Sequence, residues 1–79
     1  MLNVKILGSG CANCQRLERN LRALVAKHNL EVEIEKVTDY AEIMKWPILS
    51  TPGLVINDKL ISAGKVPNDQ QLLELLNQA

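Results

Sequence analysis

Leu2-Asn3-Val4-Lys5-Ile6-Leu7-Gly8-Ser9-Gly10-Cys11-Ala12-Asn13-Cys14 is the stretch that decides the fold. Leu2, Val4 and Ile6 alternate with Asn3 and Lys5, the period of a strand with one buried face. Gly8-Ser9-Gly10 breaks that strand. From Cys11 to about His28 the positions Cys14, Leu17, Leu21, Leu24, Val25 and His28 recur at helical spacing. The two cysteines therefore belong to a junction where a strand and a glycine-rich loop enter a helix.

That placement has chemical consequences. Residues three apart on the first helical turn face one side, so their sulfurs can bond with little strain. Unpaired N–H groups and the positive end of the helix dipole favour an anion at the same point, which here means a thiolate. Cys11 is expected at the exposed helix mouth, and Cys14 one turn in, on the apolar stripe with Leu17 and Leu21. Cys11 is then the better nucleophile and Cys14 the better resolving thiol. Lowering a thiol pKa from about 8.5 to about 7 raises the thiolate fraction at neutral pH roughly fifteen-fold. Part of that gain is lost because nucleophilicity falls with pKa, so the intramolecular attack by Cys14 is the larger benefit.

Outward from the junction, Leu30, Val32 and Ile34 alternate with Glu31, Glu33 and Glu35, a strand with an acidic face suited to a sheet edge. Asp39 and Glu42 predict a capping box for a short helix through Trp46, ended by Pro47. Gly53–Ile56 and Lys59–Ser62 flank Asn57-Asp58 as a hairpin. Asn68 and Gln71 cap a last helix that buries Leu72, Leu75, Leu76 and Leu73. The order is βαβαββα: a single α/β domain over residues 1–79, with a four-stranded mixed sheet flanked by three helices. Its first crossover is parallel and right-handed.

Composition narrows the function. Nine basic and nine acidic side chains leave no net charge, and Tyr40 and Trp46 are the only aromatics, so nucleic-acid binding has no support. The apolar runs are far too short to span a bilayer. The chain opens on a strand-like segment, so no secretory leader is expected and a reducing cytoplasm is. Seventy-nine residues bury only about 60% of the unfolded surface, which makes stability marginal. A Cys11–Cys14 bond closes too short a loop to help much, so it is expected to serve chemistry.

GCANC after the first strand, the STPGLVI segment and the closing helix together resemble the small thioredoxin-like proteins called redox-active disulfide proteins, over essentially the whole chain. The resemblance implies a thioredoxin-like fold and a thiol–disulfide oxidoreductase acting on protein disulfides, without a cofactor or metal of its own. It also implies that Pro52 is cis and packs beside the sulfurs, and that Thr51 offers its backbone to a substrate peptide. The thioredoxin pattern of Trp before the first cysteine and Gly-Pro between the two is replaced by Gly10, Ala12 and Asn13. Of the double glycine and acid that bind glutathione in glutaredoxins, only Gly64 is present. The electron donor implied is therefore a thioredoxin-reductase-like flavoenzyme, and the protein is expected to act as a monomer.

Two other readings of the CxxC pair stay open. One is a soft-metal module, because two thiolates can suffice for monovalent copper, although zinc would need more ligands than these sulfurs and a distant His28. Copper chaperones run βαββαβ and end on a strand, whereas this chain ends on a helix. The other is a redox-insensitive interaction module.

Lys5 stands six residues before Cys11, where thioredoxins carry a buried acid. On its strand it points away from Val4 and Ile6, toward the side of the glutamates, beside Glu33 or Glu35. Either it is a half-exposed surface pair, or its charge favours the thiolates.

Overall fold

The computed structural model describes residues 2–8, 12–48 and 50–78. Its elements are β1 (Leu2–Leu7), α1 (Ala12–Lys27), β2 (Val32–Val37), α2 (Tyr40–Ile43), β3 (Gly53–Ile56), β4 (Lys59–Ala63) and α3 (Asp69–Gln78). They form a four-stranded mixed sheet in the order β2-β1-β3-β4, with β1 parallel to β2 and antiparallel to β3. β3 and β4 are antiparallel. The βαβαββα order and the mixed sheet are those read from the sequence.

Alternation along β1 divides the core in two. Val4 and Ile6 face a cluster with Leu17, Leu21 and Leu24 of α1, Leu54 and Ile56 of β3, and Leu72 and Leu76 of α3. Leu7 faces the other way, onto Ile43 and Val55, with Val37, Trp46, Ile48 and Leu60 packed around them. Truncating a fully buried leucine such as Leu21 would cost about 2–5 kcal/mol, a large share of a small domain's stability. The site lies at the end of β1 that both clusters hold.

α1 follows from its leucine spacing and ends in a Schellman motif. Asn29 adopts a left-handed conformation (φ 51°), its N–H donates to Ala26 O at 3.3 Å, and Leu30 N–H donates to Val25 O at 3.0 Å. His28 is exposed beyond the helix and donates its backbone N–H to Leu24 O at 3.0 Å, so it does not extend the buried stripe. β2 lies at the sheet edge with Val32 and Ile34 partly buried and its glutamates exposed.

The expected capping box at Asp39 is only half made. Asp39 accepts from Ala41 N–H at 3.1 Å, but Glu42 turns forward to Lys45 at 3.1 Å instead of back to Asp39. The α-helix stops at Ile43, and bonds from Lys45 N–H to Glu42 O and Trp46 N–H to Ile43 O tighten the chain before Pro47. At α3 the box is complete: Asn68 Oδ1 accepts from Gln71 N–H at 2.8 Å and Gln71 Oε1 accepts from Asn68 N–H at 3.0 Å.

The hairpin turn places Asn57 (φ 50°) and Asp58 (φ 66°) in left-handed conformations, as a primed two-residue turn requires. Leu54 pairs with Ser62 but Val55 with Leu60, leaving Ile61 as an extra residue in β4.

Candidate active site

Three segments meet at the end of β1. Gly8 prolongs the β1–β2 ladder by donating its N–H to Val37 O at 3.0 Å. Its missing side chain is filled from two directions. A β-carbon there would overlap Cys14 Sγ, and would lie 3.3 Å from Cys14 Cβ and 3.6 Å from Thr51 Cβ. The first turn of α1 and the loop before β3 are thus brought together on one glycine.

Cys14 is 5% exposed and is disulfide-bonded. It begins the buried stripe that continues through Leu17 and Leu21, as its spacing predicts. Ser9, Gly10 and Cys11 lie outside the described residues. The expectation that Cys11 occupies the exposed helix mouth falls on one of them.

Thr51 is exposed, Pro52 is fully buried, and the peptide bond between them is cis. The loop is tied to the end of β4 by Gly64, whose N–H donates to Pro52 O at 2.8 Å. Gly64 has φ +75°, and a β-carbon there would overlap Ser50 Oγ and lie 3.3 Å from Ser50 Cβ. Gly8 and Gly64 are the site residues that sequence reasoning missed. One reads as a strand-breaking loop residue and the other as a remnant of a glutathione motif. What makes each of them necessary is a neighbour more than five positions away in the chain.

Beside Cys14, on the α1 side of the sheet, is a cavity of about 40 Å³ lined by Ile6, Gly8, Gln15, Glu18 and Lys36 as well as the cysteine. Glu18 holds Arg22 Nε at 2.9 Å, as the i,i+4 spacing predicts, and Lys36 Nζ at 3.3 Å. The hydrogen bond from Arg22 is the main cause that holds the Glu18 carboxyl below the usual carboxylate range; burial opposes it, and the hydrogen bond and charge of Lys36 and the charge of Arg22 add to it.

Lys5 is not part of this cluster. It pairs across the sheet with Glu35 in register, but its ammonium reaches Asp58 Oδ1 at 3.5 Å and lies 5.8 Å from the centre of the Trp46 ring. Asn57 N–H donates to Asn3 O at 2.8 Å, so the hairpin turn flanks the start of β1. The Lys5 ammonium is drawn toward that turn, away from Gly8 and Cys14.

His28 and Cys14 are at opposite ends of α1, roughly 20 Å apart at 1.5 Å per residue, too far to share a metal ion. A larger cavity, about 590 Å³, lies between β4 and α3 and shares no residue with this cluster. No helix among the described residues is long and apolar enough to cross a membrane.

Comparison with known proteins agrees with the geometry. Residues 2–77 match the Thioredoxin domain family. The chain is 32% identical over 77 residues to a thioredoxin of Methanothermobacter thermautotrophicus, covering 98% of this chain and 100% of that one. It is 34% identical over 76 residues to a thioredoxin of Methanocaldococcus jannaschii, covering 96% and 87% respectively. In fold it resembles the germline-specific thioredoxin Deadhead of Drosophila melanogaster, with a TM-score of 0.71 at 14% identity over 98% of this chain and 79% of that one. It also resembles the oxidised thioredoxin of Plasmodium falciparum, with a TM-score of 0.64 at 21% identity over 98% and 79%. With the βαβαββα sheet and a buried half-cystine at its strand–helix junction, the chain belongs to the thioredoxin-domain family of thiol–disulfide oxidoreductases.

Proposed function

We propose that this protein reduces disulfides of protein substrates through a Cys11–Cys14 dithiol. The observation that carries the reading is the convergence of Cys14 Sγ and Thr51 Cβ on Gly8, which sets a buried sulfur beside an exposed loop. In this reading Cys11, the only other cysteine in the sequence, is the attacking nucleophile, and Cys14, which is disulfide-bonded in the structure, is its resolving partner. Its thiolate attacks a substrate disulfide and forms a mixed disulfide. Cys14 then displaces the substrate thiol and closes the Cys11–Cys14 bond. Thr51 offers its backbone to the substrate peptide, and Pro52 packs beneath it.

The oxidised protein is recharged by a thioredoxin-reductase-like flavoenzyme, and the chain works as a cytoplasmic monomer without bound cofactor or metal. The Gly64 N–H is already engaged by Pro52 O, so the one remnant of the glutathione pattern serves the loop instead.

Insulin-disulfide reduction tests the reading when run in parallel with NADPH plus a thioredoxin reductase, and with glutathione plus its reductase. Turnover is expected with the first and at most slow turnover with the second. Equal rates would overturn the donor assignment. No reduction by either, or full activity in Cys11→Ser, would overturn the function.

A further inference from the structure

Cys14 is buried, yet each cycle of exchange must move a proton off its sulfur and back. The cavity of about 40 Å³ next to it has room for one water molecule. Ile6 and Gly8 make its β1 wall and carry no charge. Its polar wall is Gln15, Glu18 and Lys36. Glu18 stands one helical turn beyond Cys14, and its side chain is 20% exposed, so its carboxylate connects the cavity with solvent. The charged groups that face Glu18 are Arg22 from its own helix and Lys36 from β2. Lys5 and Glu35 are on the opposite side of the sheet, because they alternate with Val4, Ile6, Ile34 and Lys36.

We propose that Glu18 is the proton relay for Cys14, acting through a single water in this cavity. The proposal rests on the assignment of Cys14 as the resolving thiol. In the resolving step the Cys14 S–H bond breaks and its proton passes through the water to the Glu18 carboxylate. The freed electron pair attacks Cys11 Sγ, the Cys11–Cys14 bond forms, and the bond from Cys11 to the substrate sulfur breaks. The departing substrate thiolate takes a proton from solvent, and Glu18 returns its own to solvent. The two cysteines lose two electrons and the substrate disulfide gains them. Glu18 is a weakened base beside two cations, but it is far stronger than bulk water and is held in place.

The second step of reaction with dithiobis(nitrobenzoate) isolates this event. One equivalent added to the reduced protein places a nitrobenzoate thiol on Cys11, and Cys14 expels it as a second coloured thiolate. In stopped flow the wild-type rate of that second release should be nearly flat from about pH 5.5 to about pH 7.5, because Glu18 is ionised throughout. Glu18→Gln should be slower by about tenfold or more at pH 6 and should rise about tenfold per pH unit, meeting the wild type in alkali. Glu18→Asp should recover part of the loss. Lys36→Met, which keeps the carboxylate, should move the acid limb of the wild-type profile to higher pH, and it serves if Glu18→Gln fails to fold. A release in folded Glu18→Gln that is unchanged or faster, or an unmoved acid limb in Lys36→Met, overturns the proposal. If the wild type shows no second release, or Cys14→Ser retains it, the resolving role itself is wrong and the relay falls with it.

Discussion

Gly8 and Cys14 share one van der Waals space: the position a β-carbon would take on Gly8 is filled by Cys14 Sγ. Neither residue touches the other through sequence. A strand end and the first turn of a helix meet there, and the contact exists only because position 8 has no side chain. Gly8→Ala must therefore displace the sulfur or separate α1 from β1. The expected cost is about 1–3 kcal/mol of stability, the usual range for overpacking. Urea denaturation would show it as a lower midpoint at unchanged slope, with slower disulfide exchange alongside. An unaltered midpoint and exchange rate would mean the junction yields freely.

The Pro52 loop should depend on Gly64 for two separable reasons. Its φ of +75° penalises any side chain by about 1–2 kcal/mol, and a β-carbon would also overlap Ser50 Oγ. Gly64→Ala is expected to destabilise by about 2–4 kcal/mol, the conformational cost and the overpacking together. Adding Ser50→Gly to it should restore the steric part alone. Additivity of the two single variants would show that Ser50 is not the obstacle.

The two cysteines should differ in kind. Cys11→Ser is expected to abolish exchange, because it removes the nucleophile that the proposed function assigns. Cys14→Ser should trap mixed disulfides with substrate proteins, visible on a non-reducing gel. Equal alkylation rates for the two reduced thiols would count heavily against this division, since Cys14 is 5% exposed.

Lys5→Met is expected to leave thiol titration by ultraviolet absorbance unchanged. The Lys5 side chain is 26% exposed and its charge is committed to Asp58 and Trp46, on the hairpin side of the sheet. The stability lost should be under about 1 kcal/mol, as for other screened pairs. A raised thiolate pKa in the folded variant would show instead that Lys5 acts on the cysteines through the sheet.

Acid should expose the Glu18 cluster. Its folded-state carboxyl titrates below the usual range, so the stability it contributes is complete above the unfolded-state pKa and is lost as pH falls through the lower folded value. Wild-type stability should therefore decline on acidification more than that of Glu18→Gln, and the two should converge once the carboxyl is protonated. Urea midpoints taken at neutral pH and at successive acid steps measure this. Parallel declines would assign the acid sensitivity to other carboxylates.

Much of the architecture was already written in local patterns. Alternation in Leu2–Leu7 and Val32–Val37, leucine spacing in α1 and reciprocal capping at Asn68 and Gln71 each report a preference that neighbours in the chain can express alone. The Asn57-Asp58 turn is equally local, since it depends on which residues tolerate a left-handed backbone. Cys14 is as local, since it takes the place on the buried stripe of α1 that its helical spacing with Leu17 and Leu21 predicts.

Local pattern misled where competing partners were available. Glu42 could cap Asp39 or bind Lys45, two weak and nearly equal interactions, and it took the forward one. Lys5 had Glu35 opposite in register, but its long side chain found Asp58 on a turn that reaches it only after β3 has paired with β1. The dependence on Gly8, the anchoring of Pro52 by Gly64 and the cavity that joins Glu18 to Cys14 likewise came only with the tertiary structure. Each is a contact between segments with no periodic relation. Periodicity says which side of an element is buried, but what it is buried against depends on how the elements close over one another.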